Sequence, residues 1–272
     1  MKIHAEQYSA AYWRVTIDNP PINFFDQEMA DELQSLLTTL EEDEEVKIVV
    51  FESAITDFFI SPADFNDPAG FDEKLPLSRR DSLHYLLRRM NRSKFLTVGV
   101  LRGQARGAGS EFVLGLDIRF ASREKAVLSQ IDLGTEFSGI KGGFERLCSL
   151  VGRARALEII LGAEDLDADT AERLSLINRS IPDEELDEFV DRFASNISNF
   201  DREYIASAKQ VSNDQTNLAA IADSNETPGS SFESFKWSER EERIASPIER
   251  VWHERGSREL TLGEQLRPDY DL

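Results

Sequence analysis

Runs of apolar residues in the first half of the chain predict β-strands. Residues 12–18 (YWRVTID) alternate apolar with polar positions and are rich in β-forming side chains. Residues 46–52 (VKIVVFE) and 95–101 (FLTVGVL) are mostly apolar, which is typical of strands that are covered on both faces. Two shorter strands are predicted at residues 117–121 and 126–130.

Segments with helical spacing of apolar residues separate and follow these strands. Residues 26–40 place apolar side chains on one helical face, and Asp26 is a candidate N-cap. Further helices are predicted at residues 79–91, 110–116, 153–161, 170–174, 183–200 and 232–253. Residues 53–78, which contain three prolines, are predicted to be rich in loops. Because strands alternate with helices, we expect an α/β fold with parallel strand pairing.

The charge balance and the cysteine count exclude several classes of protein. Lys and Arg number 31 and Asp and Glu number 51, which gives a formal net charge of −20. This excess argues against a nucleic-acid-binding protein and against docking on an anionic membrane. Cys148 is the single cysteine, and the three histidines lie far apart, so we expect no disulfide and no metal site. Without a secretory signal or a transmembrane run, the expected protein is soluble and cytoplasmic.

A glycine-rich turn follows the predicted strand 95–101 and is the first candidate for chemistry. Gly107, Ala108 and Gly109 directly precede a predicted helix. Small residues let a ligand approach the backbone, and the N–H groups at a helix N-terminus suit an oxyanion or a phosphate. The alternative is that these glycines only allow close packing of the helix on a strand.

Two carboxylates are predicted near the carboxyl ends of neighbouring strands, where α/β sheets place their sites. Glu111 lies in the first turn of the helix after the glycine-rich turn, and Asp132 follows the strand 126–130. Both have a structural alternative, because a first-turn Glu complements the helix dipole and an Asp often caps a helix.

Two further segments have both a functional and a structural interpretation. The loop from Phe58 to Phe65 follows a buried strand and could offer an amide to a ligand, or its aromatic rings could cap the core. The segment from Arg79 to Lys94 is basic in an acidic chain. It includes Arg88 and Arg89, which could dock an anion or could solvate a helix face and pair with nearby acids.

Five sequence blocks follow one another in a fixed order. Residues 19–24 (NPPINF) are similar to a Pro-x-x-N opening, and residues 59–65 (FISPADF) to a loop usually written F-S-A-G-A-D-L. Residues 103–122 (GQARGAGSEFVLGLDIRFAS) are similar to the pattern G-x-A-x-G-G-G-x-E-L-x-x-x-x-D-x-R-x-A. Residues 126–147 and 151–154 follow as a second carboxylate block and a V-G-x-x-x-A helix entry. Over residues 15–180 the chain resembles the crotonase superfamily, also called the enoyl-CoA hydratase/isomerase family.

This resemblance assigns roles to individual residues. It implies that the N–H groups of Ala63 and Ala108 form an oxyanion hole for a thioester carbonyl, and that Glu111 and Asp132 are catalytic. The positions expected to bind substrate are Phe59, Ser61, Asp64, Gly107, Gly109, Arg88 and Arg89; for the two arginines the basis is their charge. The chain departs from the family pattern at Asp132, which replaces a glutamate, and at Pro62, which replaces a glycine. Glu136 and Gln130 are the alternatives to Asp132.

The resemblance also implies a fold and an activity. The expected fold is crotonase-like, with a spiral ββα core in residues 1–195 and a helical trimerisation or lid region in residues 196–272. The expected activity is enoyl-CoA hydration in fatty acid metabolism, without a cofactor because coenzyme A enters as part of the acyl-CoA thioester. Isomerisation of enoyl-CoA, decarboxylation, C–C cleavage and a catalytically impaired CoA-binding protein are alternatives. The implied partner is a second copy of the chain, in a homotrimer or a dimer of trimers.

Overall fold

Two β-sheets form the centre of the fold in a computed structural model that describes residues 1–63, 82–130, 143–162 and 164–216. The strands, in chain order, are β1 (Ile3–Gln7), β2 (Tyr12–Ile17), β3 (Phe24–Phe25), β4 (Ile48–Ser53), β5 (Phe58–Ala63), β6 (Leu96–Leu101), β7 (Gln104–Arg106), β8 (Ile118–Ser122), β9 (Val127–Ser129), β10 (Leu166–Asp167) and β11 (Arg179–Ile181). One sheet has the order β1-β2-β4-β6-β8-β11 and the other has the order β10-β9-β7-β5-β3.

Most neighbouring strands pair in parallel, as predicted. In the larger sheet β2, β4, β6, β8 and β11 are parallel to one another, and only β1 is antiparallel to its neighbour β2. In the smaller sheet β3, β5, β7 and β9 are parallel, and β10 is antiparallel to β9. Consecutive strands thus alternate between the two sheets from β3 to β9, so the chain passes from one sheet to the other and back.

Helices cover the sheets on both sides. In chain order they are α1 (Gln27–Glu42), α2 (Ser82–Arg92), α3 (Ala108–Gly115), α4 (Gly143–Val151), α5 (Arg153–Gly162), α6 (Ala168–Arg173), α7 (Asp183–Ser198) and α8 (Arg202–Gln215). The Asp26 side chain accepts a hydrogen bond from the Met29 N–H at 2.9 Å, which confirms Asp26 as the N-cap of α1. Among the described residues no helix is long and apolar enough to cross a membrane.

The larger sheet is buried on both faces, which explains the nearly continuous apolar sequence of β4 and β6. Val49 and Phe51 belong to the main core, which also includes the buried faces of α1, α2 and α3. Ile48 and Val50 point to the opposite face, where they join Leu186 of α7 in a second cluster. Because successive side chains of a strand alternate between faces, a strand covered on both sides needs apolar residues at every position.

Several elements differ from the sequence-based predictions. The prediction of a loop-rich stretch is wrong over β5, because Pro62 lies near the end of that strand, where a missing N–H is tolerated. β7 is only three residues long and gives no periodic signal. The segments α4 and α8 were not predicted as helices. Residues 232–253, predicted to be helical, lie outside the described residues, and the proposed boundary at residue 195 falls within α7.

Candidate active site

The glycine-rich turn after β6 folds into a short strand followed by the start of a helix. Gly103 has a φ of 84° and Gly107 a φ of 51°, both in the left-handed region that glycine adopts readily. Gly107 is the N-cap of α3, and Ala108 is the first residue of that helix. Because the first N–H groups of a helix have no acceptor within it, the Ala108 N–H suits an external oxygen atom.

Gly109 lets α3 pack directly on β5. A Cβ atom at this position would lie 1.9 Å from the Ile60 carbonyl oxygen, so no larger residue fits without separating helix and strand. Close packing, the structural alternative considered for this turn, is therefore what Gly109 provides. The same packing brings the helix that begins at Ala108 against the strand that ends at Ala63.

Glu111 is a buried carboxylate in the first turn of α3. Its N–H donates to the Gly107 carbonyl oxygen at 2.9 Å, and only 3% of the residue is exposed. A Cβ atom at Gly143 of α4 would lie 2.5 Å from Glu111 Oε1. The carboxylate thus occupies the space that the absent side chain of Gly143 leaves open.

A hydrogen bond joins the first turn of α3 to the end of β9. Gln130 Nε2 donates to Ser110 Oγ at 2.8 Å, and both side chains are buried. Gln130, one alternative to Asp132, is thus engaged in fixing this junction. Three other predicted site residues, Asp64, Asp132 and Glu136, lie outside the described residues.

The side chains predicted to bind substrate from β5 lie in the core. Phe59 is fully buried, and the centre of its ring lies 6.3 Å from that of Phe112 of α3. Ser61 is also buried, and its N–H donates to the Asn23 carbonyl oxygen at 3.1 Å. Core packing is therefore the observed contribution of Phe59, and its contact with substrate stays a prediction.

The two arginines predicted to dock the substrate lie on α2, and Arg89 pairs with helix α1. Arg89 Nη2 donates to Glu41 Oε2 at 2.7 Å and to Thr38 Oγ1 at 3.0 Å, and its Nη1 donates to the Gln34 carbonyl oxygen at 3.0 Å. Pairing with nearby acids was the alternative for this residue, and a phosphate would have to compete with Glu41. Arg88 is half-buried.

Three residues around the site were not identified as candidates from the sequence. Asn23 lies in the turn before β3, has a φ of 55° and is fully buried. Its Nδ2 donates to the Phe59 carbonyl oxygen at 3.0 Å, which links this turn to β5. Arg106 is buried in β7 and its Nη2 lies 2.6 Å from Asp165 Oδ2. Arg146 is buried on α4, on the same helix as Gly143. For Asn23 and Arg106 the sequence signal is a polar residue inside an apolar or glycine-rich segment, whereas Arg146 gives no such signal.

The described geometry provides two elements of acyl-group chemistry. The N-terminus of α3 offers N–H groups and the positive end of a helix dipole, which stabilise developing negative charge on an oxygen atom. Glu111 lies in the first turn of this helix. Its carboxylate is shielded from bulk water and can exchange a proton.

Comparison with known proteins gives this geometry a family. The model of the family "Enoyl-CoA hydratase/isomerase" matches residues 7–249. The chain belongs to this family. The matched range contains every predicted site residue, including Asp64, Asp132 and Glu136, which lie outside the described residues.

Individual members of the enoyl-CoA hydratase/isomerase family resemble the chain over most of its length. A crystal structure of a "putative enoyl-CoA hydratase" from Streptomyces avermitilis is 34% identical, with a TM-score of 0.84, and the alignment covers 97% of this chain and 96% of that one. "Probable enoyl-CoA hydratase 2, mitochondrial" from Arabidopsis thaliana is 26% identical over 76% of this chain and 69% of its own length. The short-chain-enoyl-CoA hydratase of Clostridium acetobutylicum is 28% identical, over 63% and 66% respectively.

The structural comparison confirms the predicted crotonase-like fold. An enoyl-CoA hydratase from Bacillus anthracis, only 22% identical, still superposes with a TM-score of 0.73 over 90% of this chain. The alternation of the chain between two sheets, which places α3 after β7, is therefore a shared arrangement and not a local feature of this sequence.

Proposed function

We propose that the protein is an enoyl-CoA hydratase that acts on an acyl-CoA thioester. The observation that carries this proposal is the buried carboxylate of Glu111 in the first turn of the helix that begins at Ala108. A helix N-terminus with a shielded carboxylate beside it suits a reaction in which a carbonyl oxygen gains negative charge while a proton moves nearby.

In the proposed mechanism the thioester carbonyl accepts hydrogen bonds from the Ala63 and Ala108 N–H groups. These donors polarise the conjugated double bond and stabilise the enolate that forms when a water oxygen adds to C3. Glu111 and Asp132 hold the water, take one of its protons and return a proton to C2 on the same face. Coenzyme A enters as part of the substrate, so the reaction needs no separate cofactor.

Isomerisation of an enoyl-CoA is the alternative activity. Asp132 is one methylene shorter than the glutamate found at this position in the family, and two carboxylates that share one water need tight placement. Isomerisation needs only one well-placed carboxylate, which Glu111 supplies. The two activities differ in product mass, because hydration adds water and isomerisation does not.

We also propose that the chain assembles as a homotrimer or a dimer of trimers, with residues 196–272 contributing to the assembly. Exposed apolar side chains of the described part of this region, Phe200 and Tyr204, stack with ring centres 5.8 Å apart. Since like charges on each chain oppose association, the interface has to be broad and largely apolar. Light scattering at micromolar concentration tests the assembly, and a monomer would refute it.

The test of the activity is a Glu111→Gln substitution assayed on a series of 2-enoyl-CoA thioesters with mass detection of the products. We expect turnover to fall by about 10²–10⁴-fold, because the amide cannot exchange the proton. Glu158→Gln, an exposed glutamate on α5, is the matched control and should retain wild-type turnover. Wild-type turnover by the Glu111→Gln enzyme would show that Glu111 is not the proton-transfer group.

A further inference from the structure

Helix α4 turns one face toward the carboxylate of Glu111. Gly143 and Arg146 are three residues apart on this helix, a spacing that places two residues on the same face. The Gly143 position lies against the carboxylate, since a Cβ atom there would be 2.5 Å from Oε1 and 2.8 Å from Cδ of Glu111. The face of α4 that carries Arg146 is therefore the face that contacts Glu111.

Arg146 is a buried cation whose hydrogen bonds are incomplete. The residue is 2% exposed, and its Nη2 donates to Asn91 Oδ1 at the long distance of 3.4 Å. Within the part of the chain that the structure describes, its buried Nε and Nη1 atoms have no hydrogen-bond partner. A buried charge without full hydrogen bonding is costly, so a nearby opposite charge is needed to hold it in the ionised form.

The electrostatics of α4 identify that opposite charge. Burial lowers the pKa of the Arg146 guanidinium, and the negative charges of Glu111 and Glu145 act in the opposite direction. An interaction of this kind is mutual, so the charge on Arg146 favours the ionised form of Glu111 as much as the reverse. Glu145 is half-buried, whereas Glu111 is almost fully buried, and burial reduces solvent screening between Glu111 and Arg146.

Two of the other cations on the elements packed against α3 form ion pairs with acids away from Glu111. The titratable residues on the described elements packed against α3 are His84, Tyr85, Arg88, Arg89 and Arg92 on α2, Arg106 on β7, and Glu145, Arg146 and Cys148 on α4. Arg89 pairs with Glu41, and Arg106 pairs with Asp165. Arg146 is the buried cation that shares a helix face with the contact to Glu111.

We propose that Arg146 is a positioning residue for Glu111, whose carboxylate packs against the face of α4 that Gly143 and Arg146 share. This inference rests on the proposed function, because it assigns Glu111 the role of the proton-transfer group. It adds a residue that lies within the second-carboxylate block of residues 126–147. Gly143 makes room for the carboxylate, and Arg146 supplies a buried positive charge on the same face of α4.

The first experiment compares the pH profiles of kcat for wild-type, Arg146→Met and Arg146→Lys enzymes on the thioester that proves active. Without the cation, ionised Glu111 is less favoured, so the acidic limb of the Arg146→Met profile should move to higher pH by about 1–3 pH units. Arg146→Lys retains the charge and should stay close to wild type. A lower kcat with an unmoved acidic limb in Arg146→Met would mean a structural role only and would overturn the proposal.

The second experiment needs no turnover, so it separates this proposal from the proposed function. Urea unfolding is measured for wild type, Arg146→Met, Glu111→Gln and the double variant at pH 7. If the two charges support each other, the double variant should lose less stability than the sum of the two single losses. Additive losses would overturn the proposal, even if the protein proves to be a hydratase. Arg155→Met, an exposed arginine on α5, is the matched control and should leave the midpoint unchanged.

A variant that does not fold is also informative. Arg146→Met removes a buried positive charge near the Glu111 carboxylate, and the Glu111→Gln background removes the negative charge. If Arg146→Met folds only in the Glu111→Gln background, the pairing is supported. If it folds in neither background, Arg146 is needed for a reason other than Glu111, and the proposal is overturned.

Discussion

Two glycines near the candidate active site are required for different physical reasons. At Gly109 an added Cβ atom would meet a backbone atom, the Ile60 carbonyl oxygen at 1.9 Å, so the helix itself would have to move. At Gly143 the Cβ atom would meet the end of a flexible side chain, the carboxylate of Glu111. A substitution at Gly143 therefore displaces a functional group while the fold is kept, which makes it the more informative variant.

We expect Gly143→Ala to fold and to lose activity. The new methyl group pushes the Glu111 carboxylate aside, and a misplacement of about 1 Å can cost about 10²-fold in rate. Stability should change little, because the atoms that the new methyl group would meet are the end of a flexible side chain and not the backbone. The measurements are kcat for the active thioester and urea unfolding.

Gly162→Ala is the matched control for this substitution. Its Cβ atom would meet only Glu164 Cγ, at an ordinary contact distance of 3.8 Å. This variant should keep both turnover and stability. If Gly143→Ala were as active as Gly162→Ala, the position of the Glu111 carboxylate would not matter for the reaction.

At the scale of elements, periodic segments could be predicted and short ones could not. α1 and β4 gave a clear apolar pattern because each buries a regular set of side chains. β7 has three residues, all buried, and β5 contains Pro62, so neither shows the pattern of its element. α8 is mostly polar, with few buried side chains, which hides its helical period.

The order of elements along the chain made part of the candidate site predictable. Glu111 and Ala108 follow a buried strand and a glycine-rich turn, so the order of elements locates them. Arg146 lies on a helix that was not predicted, and nothing in the local sequence shows that its side chain is buried beside Glu111. Contacts between segments more than thirty residues apart depend on the packing of α3 against α4, which the pattern along the chain does not encode.

A buried lysine is one of the residues that attach α8 to the rest of the fold. Lys209 Nζ donates to the Met90 carbonyl oxygen at 2.6 Å and to the Phe95 carbonyl oxygen at 3.0 Å, and it lies 2.8 Å from Asp117 Oδ2. The ammonium group thus joins the end of α2, the start of β6 and the residue before β8. This contact fixes the helix that begins the proposed assembly region.

We expect Lys209→Met to destabilise the protein by about 3–5 kcal/mol, because it leaves Asp117 and two carbonyl groups without their buried partner. Lys94→Met is the matched control, since Lys94 pairs with Glu203 of the same helix at 2.8 Å but both side chains are more than half exposed. That exposed pair should contribute at most about 1 kcal/mol. Urea unfolding compares the two, and equal losses would contradict the assigned role of Lys209.

At the scale of the whole molecule, the excess of acidic residues sets the dependence of stability on pH. The net charge is −20 at pH 7 and the isoelectric point is about 4.6. Repulsion between these charges destabilises the folded state and weakens as the pH falls toward the isoelectric point. Local interactions of individual carboxylates act in the opposite direction, because they are lost when those groups are protonated.

Asp26 is one such carboxylate, at the start of α1. Burial alone would raise its pKa, but hydrogen bonds from Lys2 Nζ, the Met29 N–H and Asn19 Nδ2 lower the pKa overall. Asp183 is similar, since burial raises its pKa and hydrogen bonds from Lys125 and Arg102 help to lower the pKa overall. A group whose pKa is lower in the folded state stabilises the fold above its unfolded pKa of about 3.9. That contribution is lost as the pH falls through the folded pKa.

The two effects together place the expected maximum of stability at about pH 5, with a steep loss below about pH 4.

Asp26→Asn keeps a capping side chain but removes the charge that pairs with Lys2. The variant should therefore be less stable than wild type above about pH 4 and approach wild type at lower pH. Asp214→Asn, an exposed aspartate on α8, should follow the wild-type curve throughout. Thermal unfolding from pH 3 to pH 8 checks this, and added salt should flatten the rise between pH 7 and pH 5 because it screens the general repulsion. A constant difference between Asp26→Asn and wild type at every pH would show that the ionised carboxylate contributes nothing beyond the cap.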